Sequence, residues 1–460
     1  EAAPKYQALD DALQKLMDLN ISLGNDLYTA ELFYSKFTSE AHDMYDLHGT
    51  LCYLIIKQTS NRLIVSNYEI LTENERGKVE DLELALKWCA DKKIHLANLS
   101  FGSNHFLDSP QIKKVVNYYV NKGMILVVAT SNDFFSSYPA KFSSVIGVAQ
   151  NHLRYQDEAL LSHIGVDILA PSKHKINVFE TQIETEMCNS YAAPYICSMV
   201  GTLFQKHGIL TIKQTKKMLL QNDFHEPYVP DWISNAYIYG KRPTSKAKFY
   251  FQEVSDPSQA DTIIVCEGAK VGTNDFMGKH CVNLTEERIN SFDDNYFFWT
   301  SQNRTHQIEK ANPAEHDFDI PVISLTIPEL EDSLELLFQL KNLFAKERYN
   351  AYVASSEKSC VLYDIEFLPV LENRDTPQIK YFLYWETYYN QSDILLISNY
   401  KEVTEKYIPT DIDIIIKKES SGYDIEITEN DQHHKSTLKK ICLDQTAIKE
   451  IYQQLLLLLQ

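Results

Sequence analysis

The chain has few positive charges for its size. It is 460 residues long, and 44 Lys and Arg stand against 63 Asp and Glu, for a net charge of −19. So acidic a surface repels nucleic acid and anionic membrane, and no basic run or basic–aromatic interleaving opposes that. No apolar stretch reaches the ~18 residues a membrane-spanning helix needs. Residues 1–20 lack a basic segment followed by an apolar core, so no signal peptide is expected within them. Zinc spacing is missing too: Cys52, Cys89, Cys188, Cys197, Cys266, Cys281, Cys360 and Cys442 form no CxxC and no Cys/His pair. Several lie in apolar runs and read as buried free thiols, which favours a reducing, cytoplasmic setting. No metal or cofactor is expected, and no internal repeat is visible. The length allows two or more domains.

What is present centres on Cys188-Asn189-Ser190-Tyr191-Ala192-Ala193-Pro194, followed by the apolar run from Tyr195 to Leu203. The pattern predicts a helix that presents a serine in its first turn. There, free backbone N–H groups favour negative charge, which suits a hydroxyl that attacks a carbonyl and leaves an oxyanion beside it. Taken alone, the serine is equally well an N-cap. Four other segments accompany it: Asp46-Leu47-His48-Gly49-Thr50 before an apolar run, Leu99-Ser100-Phe101-Gly102-Ser103 ending a strand, Gly123 to Asn132 as a buried strand ending in an amide, and Tyr138-Pro139-Ala140-Lys141-Phe142 leading into Val145 to Ala149.

In this order the five segments resemble the subtilisin-like serine peptidase family over about residues 20–225. The resemblance implies His48 as general base, Ser190 as nucleophile and Asn132 as oxyanion donor, with Ser100, Phe101 and Gly102 as one wall of the substrate groove. Leu160 to Pro171 resembles a further family segment; within it His163 reads as structural. Cys188 and Tyr195 depart from the family's usual residues at positions that do no chemistry. The family's orienting acid sits in an Asp-Ser/Thr-Gly after an early strand, and no such triplet precedes His48. Asp26, 22 residues before His48, is the nearest positional match. Asp18 falls on a helix predicted over residues 6–20, and Asp43 and Asp46 flank His48 too closely.

Strands and helices alternate through this region. Strands are expected at Leu63–Val65, Tyr68–Leu71, Ile94–Phe101 and Met124–Ala129. Helices are expected at 48–58, at 81–92 with Leu82, Leu84, Ala85, Leu86, Trp88 and Cys89 inward, at 112–122 and at 211–221. This predicts an α/β fold, a subtilisin-like parallel sheet with helices on both faces and a site at the carboxyl ends of its strands.

The domain reading is a peptidase-like domain at 1–225, a Pro/Gly-bearing linker at 226–245, and a second α/β, Rossmann-like domain at 246–460. Its expected strands are Thr262–Cys266, Tyr296–Trp299, Pro321–Leu325, Tyr352–Ala354 and Asp393–Ile397, with helices at 329–348 and 448–459. It loosely resembles a P-loop NTPase core without its phosphate loop. After Leu325 come Glu329, Glu331 and Asp332 where glycines and a lysine would be needed, and Gly272 to His280 has the wrong glycine spacing, so no nucleotide is expected. By analogy the whole resembles peptidases that mature a precursor peptide in bacterial natural-product pathways, whose partners are a peptide or protein substrate and a pathway protein. The alternative is a subtilisin-like scaffold without its acid that binds a peptide or partner uncut.

Overall fold

A computed structural model describes residues 48–68, 70, 77–151, 158–178, 181–289, 292–311, 316–327, 330–369, 376–398, 408–429, 434–440 and 442–459. Asp18, Asp26, Asp43, Asp46 and the helix expected over 6–20 lie outside the described residues. The chain divides into two units, Glu1–Phe224 and His225–Gln460.

In the first unit, helix α1 (His48–Thr59) buries Leu51, Cys52, Ile55 and Ile56 along one stripe. Helix α2 (Val79–Asp91) carries Glu80 and Asp81 in its first turn, where the helix dipole favours acids, and the Asp81 carboxylate accepts the Lys78 N–H at 2.9 Å. It buries Leu82, Ala85, Leu86 and Cys89. Leu84, expected inward, is 55% exposed, because it lies about 200° around the helix from Leu82 and off that stripe. Strand β1 (Leu96–Leu99) leads through helix α3 (Ser109–Val120) to β2 (Ile125–Ala129), then to β3 (Ile146–Gln150) and β4 (Ile168–Ala170). They form one parallel sheet in the order β1-β2-β3-β4. Every residue of β2 and β3 is buried. Successive strand residues face opposite sides, so both faces of these strands are covered. A small antiparallel pair, β5 (Lys175–Val178) and β6 (Thr181–Glu184), precedes the long helix α4 (Asn189–His207), and α5 (Ile212–Leu220) follows. Helix α4 packs along all four strands of the sheet and against α1.

Leu63–Val65 was expected as a strand; it is irregular, and Ile64 is 89% exposed, since no strand among the described residues offers it a ladder. Glycine is required where β3 meets the loop before β4. A Cβ on Gly147 would lie 1.8 Å from the Gly165 carbonyl oxygen, and Gly165 itself has φ +79°. Asp167 closes this junction, accepting the Gly147 N–H at 2.8 Å and pairing with Lys216 at 2.8 Å.

The second unit contains two sheets, where one α/β layer was expected. Strands β7 (Asn235–Tyr239), β8 (Gln252–Glu253), β9 (Thr262–Val265), β10 (His280–Asn283) and β11 (Phe298–Thr300) form a parallel sheet in the order β11-β10-β9-β7-β8. Residues 226–245 are therefore not a simple linker: β7 lies inside this sheet, between β9 and β8. Helix α6 (Ser301–Glu309) leads to the second sheet. Its strands are β12 (Val322–Thr326), β13 (Ala351–Ser355), β14 (Glu366–Phe367), β15 (Ile394–Ser398), β16 (Ile412–Glu419), β17 (Gly422–Glu429) and β18 (His434–Lys440), in the order β14-β13-β15-β12-β16-β17-β18. The last three pair antiparallel as a meander absent from the sequence reading. Helices α7 (Leu330–Lys346), α8 (Thr376–Tyr389) and α9 (Gln445–Leu458) complete the unit, with α9 packed on α7. The acids Glu331 and Asp332 fall in the first turn of α7.

Candidate active site

Parallel strands deliver their following loops to one edge of the sheet. Ser100 to Ser103 leave β1 there, and Thr130 to Asn132 leave β2. The two loops are tied together. The backbones of Ser103 and Tyr138 exchange hydrogen bonds at 2.9 and 2.8 Å, and the Asn104 amide donates to the Ser131 hydroxyl at 3.2 Å.

Ser190 is the second residue of α4, a helix of 19 residues. His48 is the first residue of α1, and its ring centroid lies 5.4 Å from that of Tyr191. The packing of α1 on α4 thus brings together the two helix starts that carry His48 and Ser190. Both residues are half-buried, while Asn132 is exposed at the rim. Burial holds the His48 imidazole below its ordinary value of 6.5, because the charged ring loses hydration. A depressed value leaves the ring neutral, and able to accept a proton, at neutral pH.

The Ser190 hydroxyl donates to the Ser100 carbonyl at 3.2 Å. Among the described residues no hydrogen bond joins it to His48. The contact to Ser100 is reciprocal: the Ser100 hydroxyl donates to the Ser190 carbonyl at 2.8 Å and accepts from the Asn98 amide at 2.9 Å. Pro194 explains why that carbonyl is available. It lies four residues after Ser190 inside α4 and has no N–H, so the helical partner of the Ser190 carbonyl is missing. Ser100 replaces that donor, and the Cys52 thiol contributes at 3.6 Å. Ser100, read from the sequence only as groove wall, thereby also clamps the backbone of Ser190.

Asn132 accepts the Asn189 backbone N–H through Oδ1 at 2.8 Å. A backbone N–H only donates, so this contact uses the Asn132 carbonyl oxygen and does not use its amide protons. Cys188 precedes this turn, and burial raises its thiol above the ordinary value, which disfavours the thiolate. Cys52 and Cys197 behind the site are pushed up to about 12 by burial. Tyr195 stacks against His174, at 5.8 Å between centroids, and His174 Nε2 bonds the Tyr191 carbonyl at 3.0 Å. Burial lowers the His174 imidazole as well. The His163 side chain is buried, away from these groups in the chain order, and its carbonyl accepts from Ser136 at 3.1 Å. Among the described residues no cluster of three or more His, Cys, Asp and Glu is placed to hold a metal ion.

The structure therefore brings His48, Ser190, Asn132 and the Ser100–Gly102 segment to one end of the first unit. Asn189 is the residue that sequence reasoning passed over. Its neighbour carried the motif, and nothing in the order of residues shows where an asparagine amide points.

Residues 45–249 match the model of the Peptidase_S8 Subtilase family. Subtilisin BL of Lederbergia lenta is 26% identical over 146 residues, 30% of this chain and 52% of its own length. An alkaline protease of Alkalihalobacillus alcalophilus is 25% identical over 219 residues, 44% of this chain and 54% of its own. The chain thus spans about half the length of these curated relatives. The crystal structure of a lanthipeptide protease aligns over 39% of this chain and 69% of its own at 14% identity, with a TM-score of 0.32.

Proposed function

We propose that the first unit is a serine endopeptidase of subtilisin type. The observation that carries this reading is the placement of Ser190 and His48 at the starts of two packed helices, with Asn132 at the rim beside them. A peptide lies extended along Ser100-Phe101-Gly102, pairing backbone to backbone. Ser190 Oγ attacks its carbonyl, His48 takes the hydroxyl proton and later gives it to the leaving amine, and Asn132 Nδ2 with backbone N–H groups of the first turn of α4 receives the oxyanion. One such donor is worth ~3 kcal/mol in the transition state. Asp26 is assigned as the orienting carboxylate, on its place in the chain; a group of that kind contributes a factor on the order of 10⁴.

The substrate is assigned as a precursor peptide of a bacterial natural-product pathway, cleaved in the cytoplasm. Two features support a dedicated intracellular enzyme: all eight cysteines are free, and a second α/β unit accompanies the peptidase-like one. That second unit is assigned to recognition of the peptide or a pathway partner, without nucleotide, because the sequence after Leu325 carries Glu329, Glu331 and Asp332 where a phosphate loop needs glycines and a lysine.

A second reading has one observation in its favour. The Ser190 proton is directed at the Ser100 carbonyl and not at His48, as suits a scaffold that holds peptide without cutting it. A fluorophosphonate probe separates the two. The enzyme reading expects labelling that Ser190→Ala abolishes and His48→Ala reduces severely. Labelling that persists in Ser190→Ala removes the assignment, and binding of peptide without labelling establishes the scaffold.

A further inference from the structure

We infer that Asn189 is a positioning residue that fixes both the nucleophile and the oxyanion donor by tying the first turn of α4 to the ends of two strands; this rests on the peptidase reading of the same site. The Asn189 side chain is 1% exposed. Its Oδ1 accepts the Gln150 N–H, at the end of β3, at 3.0 Å. Its Nδ2 reaches three oxygens beyond the end of β2: the Thr130 carbonyl at 3.2 Å, the Thr130 hydroxyl at 3.1 Å and the Ser131 carbonyl at 2.9 Å. Two amide protons serve these three acceptors, so the carboxamide is saturated and its orientation is set by donors and acceptors of unambiguous kind.

The consequence runs in two directions along the chain. Asn189 immediately precedes Ser190, so anchoring its side chain fixes where the Ser190 hydroxyl starts. Its backbone N–H is the donor that Asn132 Oδ1 accepts. Holding that N–H in place fixes the Asn132 carbonyl oxygen, and the amide protons this contact does not use remain for the position where charge develops. The loop that bears Asn132 is also the loop whose carbonyls receive the Asn189 amide, so one side chain sets the spacing between the two groups. An error of ~1 Å in such a spacing is costly to rate.

Asparagine is specifically suited to this position. An aspartate has the same shape but no amide protons, and its second oxygen would face the Thr130 and Ser131 carbonyls. Alanine or serine would leave the Gln150 N–H and these oxygens without their partner in a buried place. A residue that only filled space would not distinguish asparagine from aspartate so sharply.

The test uses the full chain. The fluorophosphonate inactivation rate, and kcat and KM for a peptide substrate, are measured for wild type, Asn132→Ala, Asn189→Asp, Asn189→Ser and the double variant Asn132→Ala/Asn189→Ser. Asn132→Ala is expected to lose ~10²–10³ in kcat. Both Asn189 variants are expected to lose at least ~10-fold in kcat, with KM within about 2-fold, since an interaction realised in the transition state is removed. Because Asn189 acts in part through Asn132, the double variant should lose clearly less than the product of the two single losses. A double variant that multiplies the two single losses overturns the inference, as does an Asn189→Asp enzyme of wild-type kcat. Should wild type neither label nor cleave, the peptidase reading has failed and the positioning claim is judged separately. The side-chain amide resonances of ¹⁵N-asparagine protein are then recorded, with Asn132 identified from Asn132→Ala. Folded Asn189→Asp or Asn189→Ser protein should shift the Asn132 pair, and an unmoved pair overturns the inference.

Discussion

Replacing Gly102 by alanine should weaken peptide binding while leaving the nucleophile able to react. A Cβ at Gly102 would stand 2.9 Å from the Tyr138 carbonyl oxygen and 3.8 Å from the Ser137 Cβ. The first of these contacts is with backbone, which cannot rotate away as a side chain does. Restoring an ordinary separation of ~3.5 Å requires the Tyr138 carbonyl to retreat by about 0.5 Å. That carbonyl accepts the Ser103 N–H at 2.9 Å, and its partner bond from Tyr138 N to the Ser103 carbonyl is 2.8 Å. The retreat stretches one or both past good geometry, at about 0.5–1.5 kcal/mol each. With the strain of overpacking the cost is roughly 1–3 kcal/mol, or a fall in Tm of about 2–10 °C for a unit of this size. The displaced segment is the proposed groove wall, so on that reading KM for a peptide should rise about 10-fold, equivalent to a loss of ~1.4 kcal/mol. Inactivation by a small fluorophosphonate, which does not need the wall, should change less than about 3-fold. Gly49→Ala is the control: nothing lies within 4 Å of its Cβ, and alanine in helix α1 should be neutral or stabilise by ~0.5–1 kcal/mol. An unchanged Tm in Gly102→Ala would refute the clash, and a lowered Tm with unchanged KM would refute the assignment of this segment to peptide binding.

The pH dependence follows from His48. With His48 as the proposed general base, deprotonated imidazole is the active form, and burial lowers its pKa below 6.5, so kcat/KM should rise with pH to a plateau reached before neutrality. The same shift adds stability above the unfolded-state value of 6.5, which is lost as pH falls through the lower folded-state value; His174 acts in the same sense, and urea unfolding between pH 5 and 8 reads the sum. Cys442 is the exposed cysteine, Cys188 is half-buried with its thiol raised by burial, and Cys52, Cys89, Cys197, Cys266, Cys281 and Cys360 are buried, so a thiol-exchange reagent should titrate one group rapidly in native protein, with Cys188 slower, and Cys442→Ser should remove the fast group. Lys216→Met should cost about 2–4 kcal/mol, because it leaves the half-buried Asp167 carboxylate with the Gly147 N–H but no counter-charge; Asp167→Asn, which keeps an acceptor for that N–H, should cost less by thermal melting.

Much of the first unit was legible because periodicity and motif coincided. Ile125 to Ala129 is a continuous apolar run and is a fully buried strand. The helices starting at His48 and Asn189 were announced by the apolar runs after them. Where one signal stood alone, the reading failed. Leu63-Ile64-Val65 has strand composition, but strand formation needs a partner, and none of the described residues pairs with it. Asn235 to Tyr239 is short and lies between prolines and a glycine, which concealed a strand held by its neighbours on both sides. The roles of Ser100 and Asn189 were not legible, since both depend on which oxygen or proton a side chain meets across more than 50 residues of chain. The position of Asp26 falls outside the described residues.

The length of α4 bears on how the candidate site tolerates change. A helix of 19 residues is about 28 Å long. Pivoted at its far end, a tilt of only ~2° would carry its tip by about 1 Å, a displacement that costs on the order of 10²-fold in rate when it misplaces a reacting group. Ser190 rides on that tip. Leu63 tucks beside Gly201, in the second half of the helix, where an added Cβ would meet its methyls at 2.7 and 2.8 Å. Ordinary drift in the hydrophobic packing around Gly201 is therefore levered into the chemistry. On the peptidase reading proposed above, substitutions there should tune turnover without touching a substrate, and the lower half of α4 is a natural place to search for rate modifiers.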